Sequence, residues 1–429
     1  MVLSVRLVLN TFAQLIGKFA TTATTLFIIF LITQNLGDRG LGTFAVITSY
    51  VALFYIIADF GLNAVLIKEI AREPEKTTHY FNNLLTLRIF LSILLAFVAI
   101  SILSFLPYNS EIKLGIILGT LTILTSGIFT TANSIFQEKL RYDKSTIADF
   151  LGALTTLALS YLVLSAGASV IWVIGAYVLG GITRIVSSLL FASSYLQNLR
   201  ISFDFNLWQR LLILALPLGI TTILSQVNAN IDKIIVSLVK FSPNLNLNNI
   251  EATGAYGLSY RIFEVSLVLP TYALNAAYPI LVRHKLQGYE RLKDSSRKLI
   301  ISLFILANFF LIIGFFLAPY IINFFPGRES VNILGSNTAL RILLFALPIF
   351  YVSAPLFWLV VTLDQQKFLG FIFGFSALVN IFLNIVFVPK YGYTAAAFVT
   401  IITEGLILGL LTLVVSKGFR DLRRGGGVD

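Results

Sequence analysis

Six basic side chains fall inside long apolar stretches of the sequence, where an isolated charge is costly and is therefore a candidate functional residue. Arginine and lysine in such places are suited to binding an anionic, phosphate-bearing group. The alternative is a structural ion pair between helices, or a side chain that extends to the membrane surface. The six residues are Lys18, Arg88, Arg184, Lys233, Arg261 and Arg341.

The six basic residues fall into two groups according to their distance from the ends of the apolar stretch that contains them. Lys18 and Arg184 lie well inside their stretches, and together with Arg261 we expect them to line a polar cavity. The other three lie closer to the ends of their stretches, so we expect their side chains to extend to the membrane surface.

Two sets of polar residues recur at four-residue spacing, which places each set on one face of a helix. Asn10, Gln14 and Lys18 form the first set, and Asn228 and Asp232 form the second. One explanation is a stripe that faces a wet cavity, and the other is hydrogen bonding between helices. We expect Asn10, Gln14 and Asn228 to belong to the same cavity as the basic residues.

Acidic residues also occur inside the apolar stretches, and Asp232, Glu264 and Glu404 are candidates for binding a proton or a sodium ion. They are equally able to pair with a buried cation, and the sequence leaves both possibilities open. Arg261 and Glu264 are three residues apart, so the two can pair across one helical turn.

The composition identifies the environment of these residues. The chain has 429 residues, of which 57% are hydrophobic and 12% are charged, whereas a soluble domain carries roughly 25% charged residues. The mean hydropathy is +0.89. We therefore expect an integral membrane protein, because a soluble fold cannot bury so much apolar surface.

The sequence lacks the residues that several other functions need, including metal binding and ATP hydrolysis. The chain has no cysteine and only two histidines, His79 and His284, which are far apart in the sequence, so we expect no metal and no cofactor. A phosphate-binding loop of the G-x-x-x-x-G-K-[ST] type is absent, which argues against ATP hydrolysis. The net charge of +11 is distributed between the apolar runs rather than in one stripe, so we expect contact with membrane lipids and not with nucleic acid.

The apolar runs predict an all-α protein with about twelve transmembrane helices, since each run is long enough to cross a hydrocarbon core about 30 Å thick. Alternate linkers differ in basic content: the set that includes both termini carries 20 Lys and Arg, and the other set carries 5. Basic linkers stay in the cytoplasm, so both termini are predicted to be cytoplasmic. The predicted spans are 8–34, 42–66, 82–106, 113–136, 146–165, 169–194, 210–238, 254–282, 299–324, 338–361, 368–388 and 393–416.

A weak internal repeat indicates two lobes. Gly42–Ala64 and Gly254–Ala276 share their internal spacing, with Leu-Asn-Ala near the end of each. The matching spans run in the same direction, which is typical of transporters built from two parallel halves around a central cavity. We expect a six-helix lobe at 1–194, a cytoplasmic linker at 195–209, a second six-helix lobe at 210–416 and a basic tail at 417–429.

Prolines inside predicted spans occur only in the second half, where each removes a helical hydrogen bond and bends the chain. We expect the second lobe to be the more bent one. These residues include Pro217, Pro270, Pro279, Pro348 and Pro355.

Four stretches together resemble the polysaccharide-transporter branch, the O-antigen-type flippases, of the multidrug/oligosaccharidyl-lipid/polysaccharide (MOP) exporter superfamily. They are Gln34–Phe44, Asp59–Leu62, Gly254–Pro279 and Asp364–Ala397. A departure occurs at Thr394 and Ala395, where the family often has glycine, and it weakens any finer assignment to a subfamily.

The resemblance implies a flippase of the cell (inner) membrane, and not an enzyme. By alternating access, such a protein moves a polyprenyl-pyrophosphate-linked oligosaccharide from the inner to the outer leaflet during polysaccharide biosynthesis. Its expected partners are this lipid-linked oligosaccharide, membrane lipids, a polysaccharide polymerase and glycosyltransferases. The alternative within the superfamily is an ion-coupled exporter of small molecules or drugs.

Overall fold

The computed structural model describes residues 2–325 and 331–425; the side chains at 2–16, 56, 275–276, 331–334 and 425 are outside this description. Within these ranges the chain forms helices and no β-strand, as the sequence predicts. The fourteen α-helices are α1 Val2–Asp59, α2 Leu62–Arg72, α3 Thr77–Leu103, α4 Ser110–Glu138, α5 Tyr142–Ser165, α6 Val170–Ala192, α7 Phe205–Leu238, α8 Asn249–Ser266, α9 Val268–Leu286, α10 Tyr289–Asn323, α11 Val331–Leu344, α12 Leu347–Thr362, α13 Leu369–Tyr391 and α14 Tyr393–Gly425.

Among the described residues, ten helical segments are long and apolar enough to cross a membrane, or eleven if a pair bent by 42° between α11 and α12 counts as one span. One of the ten, Gly17–Arg72, has 56 residues, and a straight helix of that size is about 84 Å long. It contains two of the predicted spans, because Gly37 has non-helical backbone angles (φ 62°, ψ −162°) and breaks α1. If Gly17–Arg72 counts as two spans and the bent pair of α11 and α12 counts as one, the total is twelve, as the sequence predicts.

The chain divides into two compact units, Met1–Gln226 and Val227–Asp429. This boundary lies inside α7, whereas the sequence places the boundary in the linker 195–209. The basic residues of the predicted tail at 417–424 extend α14. The lobe boundaries derived from the sequence remain a prediction, as does the cytoplasmic position of the termini.

The linker before α7 is held against the start of α3 by polar side chains at helical spacing. Asn82 donates to the carbonyl of Asn198 at 2.8 Å. The Asn83 side chain accepts from the backbone of Asp204 at 2.8 Å, and Thr86 accepts from the backbone of Ser202 at 3.0 Å. These bonds satisfy an extended backbone that has no helix or sheet of its own.

In the second unit, the predicted span 254–282 is interrupted between α8 and α9. Pro270 lacks the N–H that would bond to the carbonyl of Ser266, four residues earlier. Tyr351 of α12, which is fully buried, donates its hydroxyl to that carbonyl at 2.5 Å. A neighbouring helix therefore satisfies the group that proline leaves free, as a membrane interior requires.

The core of the second unit joins α9, α10, α12, α13 and α14. Its buried members include Leu281, Leu292, Leu359, Ile372 and Leu411. This cluster sets the spacing between the ends of α10, α12 and α14.

The Tyr351→Phe variant removes the donor to Ser266 while it preserves the ring. We expect its free energy of unfolding to fall by about 1–2 kcal/mol, because a buried carbonyl loses its partner. The measurement is the thermal unfolding midpoint in detergent. Tyr161→Phe is the matched control, since Tyr161 is 56% exposed; equal shifts in the two variants contradict the assignment.

Candidate functional site

The first candidate cluster lies in the first unit and joins α1, α4, α5 and α6. Arg184 donates to Asp149 at 3.3 Å and to the Ser126 hydroxyl at 3.1 Å. Its guanidinium also lies over the Phe129 ring, 4.3 Å from the ring centroid. Lys18 lies within electrostatic range of the same Asp149 carboxylate. Arg184 therefore forms an ion pair with Asp149, and Lys18 adds a second positive charge within electrostatic range of the same carboxylate.

Close helix packing brings Asp149 and Arg184 together. A side chain at Gly152 would lie 2.8 Å from the carbonyl oxygen of Gly180 and 2.9 Å from Cβ of Arg184. Asp149 and Gly152 are three residues apart on α5, so the helix face that approaches α6 also presents the carboxylate. Small residues at helix contacts permit this approach in membrane proteins.

The cluster remains partly accessible. The exposed fraction is 26% for the Arg184 side chain and 33% for Asp149, and Lys18 is exposed. A guanidinium has five N–H donors, so the two bonds that Arg184 makes leave donors for a further anion. The cluster combines two positive charges with one negative charge.

The second candidate cluster lies in the second unit and surrounds Tyr260 of α8. Asp232, Glu264 and Glu404 all lie within electrostatic range of this phenol. The Lys233 ammonium lies over the Tyr260 ring, 4.0 Å from its centroid. Three acids from separate helices are therefore gathered in one place by tertiary packing.

The pair predicted across one turn of α8 is present. Arg261 donates to Glu264 at 2.9 Å, and both side chains remain partly exposed, at 42% and 34%. Lys233 also lies in electrostatic range of both residues. Arg261 thus belongs to a mixed-charge cluster of the second unit.

Asn228 and Asp232 lie on one face of α7, as their spacing predicts, and this face is buried. Asn228 donates to the Ser376 hydroxyl at 3.5 Å. Asp232 accepts from the hydroxyl of Tyr256 and from the backbone N–H of Lys233. The contact of Asn228 matches the interhelical alternative that the sequence left open.

Buried amides and hydroxyls continue this polar region along α13 and α14. Asn384 donates to the Asn380 side chain at 2.9 Å, and the Ser376 hydroxyl donates to the carbonyl of Thr403 at 3.3 Å. Thr400 lies 3.3 Å from the hydroxyl of Tyr256.

The expectation that Arg88 extends to the membrane surface is wrong. Arg88 is completely buried, and it donates to Asp59 at 2.6 Å and to the Thr131 hydroxyl at 3.1 Å. Lys233 is also buried, with 7% exposed. Both residues contact partners on their own or on other helices. These partners lower the free-energy cost of burying the charge, a stabilisation that the position of a residue within its apolar stretch does not reveal.

Sequence reasoning missed three members of the first cluster, Asp149, Ser126 and Phe129. Asp149 gave a signal as an acid inside an apolar run, but Ser126 and Phe129 gave none. The side chains of Asn10 and Gln14 lie outside the described residues.

The comparisons with known proteins agree with this architecture. The profile of the family described as "Polysaccharide biosynthesis protein" matches residues 7–285. The MatE profile matches residues 217–386. No curated protein sequence matches the chain.

Solved structures share the fold over nearly the whole chain. A lipid II flippase MurJ in an inward closed conformation has a TM-score of 0.76 and 15% identity, covering 97% of this chain and 90% of that chain. An inward-facing multidrug resistance MATE family transporter of the MOP superfamily has a TM-score of 0.72 and 15% identity, covering 94% of this chain and 96% of that chain.

The polysaccharide biosynthesis profile matches well over half of the sequence, and the helical fold is that of MOP transporters. The chain therefore belongs to the polysaccharide biosynthesis protein family, and it shares its fold with a MurJ flippase and a MATE family transporter.

Proposed function

We propose that the protein is a flippase that moves a polyprenyl-pyrophosphate-linked oligosaccharide from the inner to the outer leaflet of the cell (inner) membrane. The observation that carries the proposal is the cluster of Lys18 and Arg184 around Asp149. Its excess positive charge lies inside membrane-spanning helices, where only a specific anionic ligand or counter-ion offsets the cost.

The pyrophosphate of a lipid-linked sugar matches this cluster chemically. It is multiply charged and offers oxygen pairs that an arginine fork binds bidentately. Asp149 offsets the charge of the two cations when no ligand is present, and an arriving pyrophosphate competes with it. We propose that Asn10 and Gln14, which share a helix face with Lys18, bond to sugar hydroxyls.

In the second unit, we propose that Arg261 and Asn228 are substrate-binding residues, and that the bond to Ser376 positions Asn228. The lipid tail stays in the bilayer while the headgroup crosses. The family match to polysaccharide biosynthesis supports this substrate class, and glycosyltransferases and a polymerase are the corresponding partners. The protein performs transport and no bond chemistry in this proposal.

An ion-coupled exporter of small molecules or drugs is the second candidate. It is favoured by the MatE match at 217–386 and by the acids around Tyr260. In both candidates, we propose that Asp232, Glu264 and Glu404 bind the coupling ion or pair with the nearby cations.

Flipping should fail when the first cluster loses its positive charge. The Lys18→Gln/Arg184→Gln double variant removes two charge-assisted contacts, so we expect its flipping rate to fall at least about tenfold. The assay uses proteoliposomes that contain a fluorescent polyprenyl-pyrophosphate sugar, with an impermeant quencher reporting the leaflet of each lipid.

Lys68→Gln/Arg200→Gln is the matched control, because it removes the same charge from exposed positions. If the cluster variant keeps the wild-type flipping rate, or if the control variant loses as much of it, the site assignment is contradicted. Wild-type protein that is folded but exports a small organic cation and leaves the lipid in place supports the second candidate.

Ion coupling should depend on Asp232. We expect an imposed sodium or proton gradient to change the wild-type transport rate severalfold and to have no effect on Asp232→Asn, whose amide cannot exchange charge with the ion. The measurement is the transport rate with and without each gradient. Asp421→Asn, at an exposed position, should respond like the wild type; a full response in Asp232→Asn contradicts the role.

A further inference from the structure

A cleft of about 250 Å³ lies between the ends of α10, α12 and α14 in the second unit. Its walls are apolar and include Ile300, Leu356, Val415 and Phe419. The hydroxyl of Ser296 also borders the cleft, but it donates to the carbonyl of Leu292 at 2.6 Å. The interior is therefore suited to hydrocarbon.

Two basic side chains one helical turn apart, Lys293 and Arg297, border this cleft, and both are exposed. The carboxylate beside them, Asp294, pairs with Lys298 at 2.7 Å. Asp294 also lies within electrostatic range of Arg297, so its single charge is divided between Lys298 and Arg297 and does not balance both basic residues of the cleft.

A third cation, Arg423, lies beside the same cleft and contacts an aromatic ring. The Tyr289 ring carries the Lys293 ammonium at 5.3 Å and the Arg423 guanidinium at 5.9 Å. The Tyr289 and Phe419 rings meet edge to face at 5.8 Å, so the support of the cations continues into the apolar wall. This arrangement holds positive charge directly beside a hydrocarbon surface.

The surrounding surface is basic as well. The segments 289–298 and 417–424 together contain eight Lys and Arg and three Asp and Glu. Both segments are on the side of the membrane that the distribution of basic residues predicts to be cytoplasmic. Anionic phospholipids of that leaflet attract such segments, and basic pockets between transmembrane helices bind their headgroups.

We propose that this cleft is a binding site for an anionic phospholipid. Lys293 and Arg297, with Arg423 beside them, bind the headgroup phosphate, and an acyl chain occupies the apolar cleft below. A soluble phosphate would gain no binding energy from the apolar walls, and a neutral lipid would gain none from the net charge of the cations. The cleft contains none of the residues proposed to bind the transported substrate, so the inference is independent of the proposed function.

The test measures retention of phosphatidylglycerol by the purified full-length protein in native mass spectrometry. We expect Lys293→Gln/Arg297→Gln to weaken phosphatidylglycerol binding about tenfold or more, since two charges at the headgroup are lost. Phosphatidylcholine should bind the wild type no better than it binds the variant.

Arg420→Gln/Arg424→Gln is the matched control, because it removes two exposed charges of the same basic surface outside the cleft and leaves the Asp294–Lys298 pair in place. Its affinity for phosphatidylglycerol should stay within about twofold of the wild type, as only the general surface potential changes. Equal loss in both double variants means that surface charge alone attracts the lipid, and it overturns the site.

A second variant tests the apolar part. Ile301, which borders the cleft and is 46% exposed, is replaced in Ile301→Trp to fill the space while all charges stay. We expect phosphatidylglycerol binding to weaken and the thermal unfolding midpoint without lipid to remain that of the wild type.

Two further probes separate other sources of phosphate. Inorganic phosphate should not raise the unfolding midpoint, whereas phosphatidylglycerol should, because a ligand of the folded state stabilises it by mass action. Unchanged lipid binding in Ile301→Trp, or stabilisation by inorganic phosphate, contradicts a lipid site. Stronger binding of undecaprenyl phosphate than of phosphatidylglycerol reassigns the cleft to the transported lipid.

Discussion

Charge inside membrane-spanning helices is the constraint on which the rest of this structure depends. A cation far from water needs a counter-ion, hydrogen bonds or an aromatic face. Arg88 has Asp59 and Thr131, and Arg184 has Asp149, Ser126 and the Phe129 ring. Arg341 donates to the carbonyl of Phe315 and lies over its ring. The packing of the helices has to bring these partners together.

The two arginine–aspartate pairs differ in the exposure of the cation rather than of the carboxylate. Arg88 is enclosed, so its pair with Asp59 serves to join α1 to α3. Arg184 and Asp149 stay partly exposed, which is compatible with the proposed replacement of the carboxylate by an incoming anion. Exchange of this kind suits a transporter, which has to bind its substrate strongly enough to select it and weakly enough to release it.

Irregular backbone obeys the same constraint. The carbonyl that Pro270 leaves free is satisfied by Tyr351. The extended linker before α7, which is predicted to be cytoplasmic, is satisfied by Asn82, Asn83 and Thr86 of α3. Breaks in helices are therefore placed where a neighbouring element supplies a donor or an acceptor.

The sequence by itself determined the helical class, about twelve spans and the possibility of the Arg261–Glu264 pair, because hydropathy and spacing within one helix are local properties. Only the tertiary structure decided that Arg184 pairs with Asp149 within electrostatic range of Lys18, that Arg88 is buried, and that Asp232 and Glu404 lie within electrostatic range of Tyr260. These arrangements join different helices, and the approach of α5 to α6 depends on the small residue Gly152 rather than on any property of the charged residues themselves.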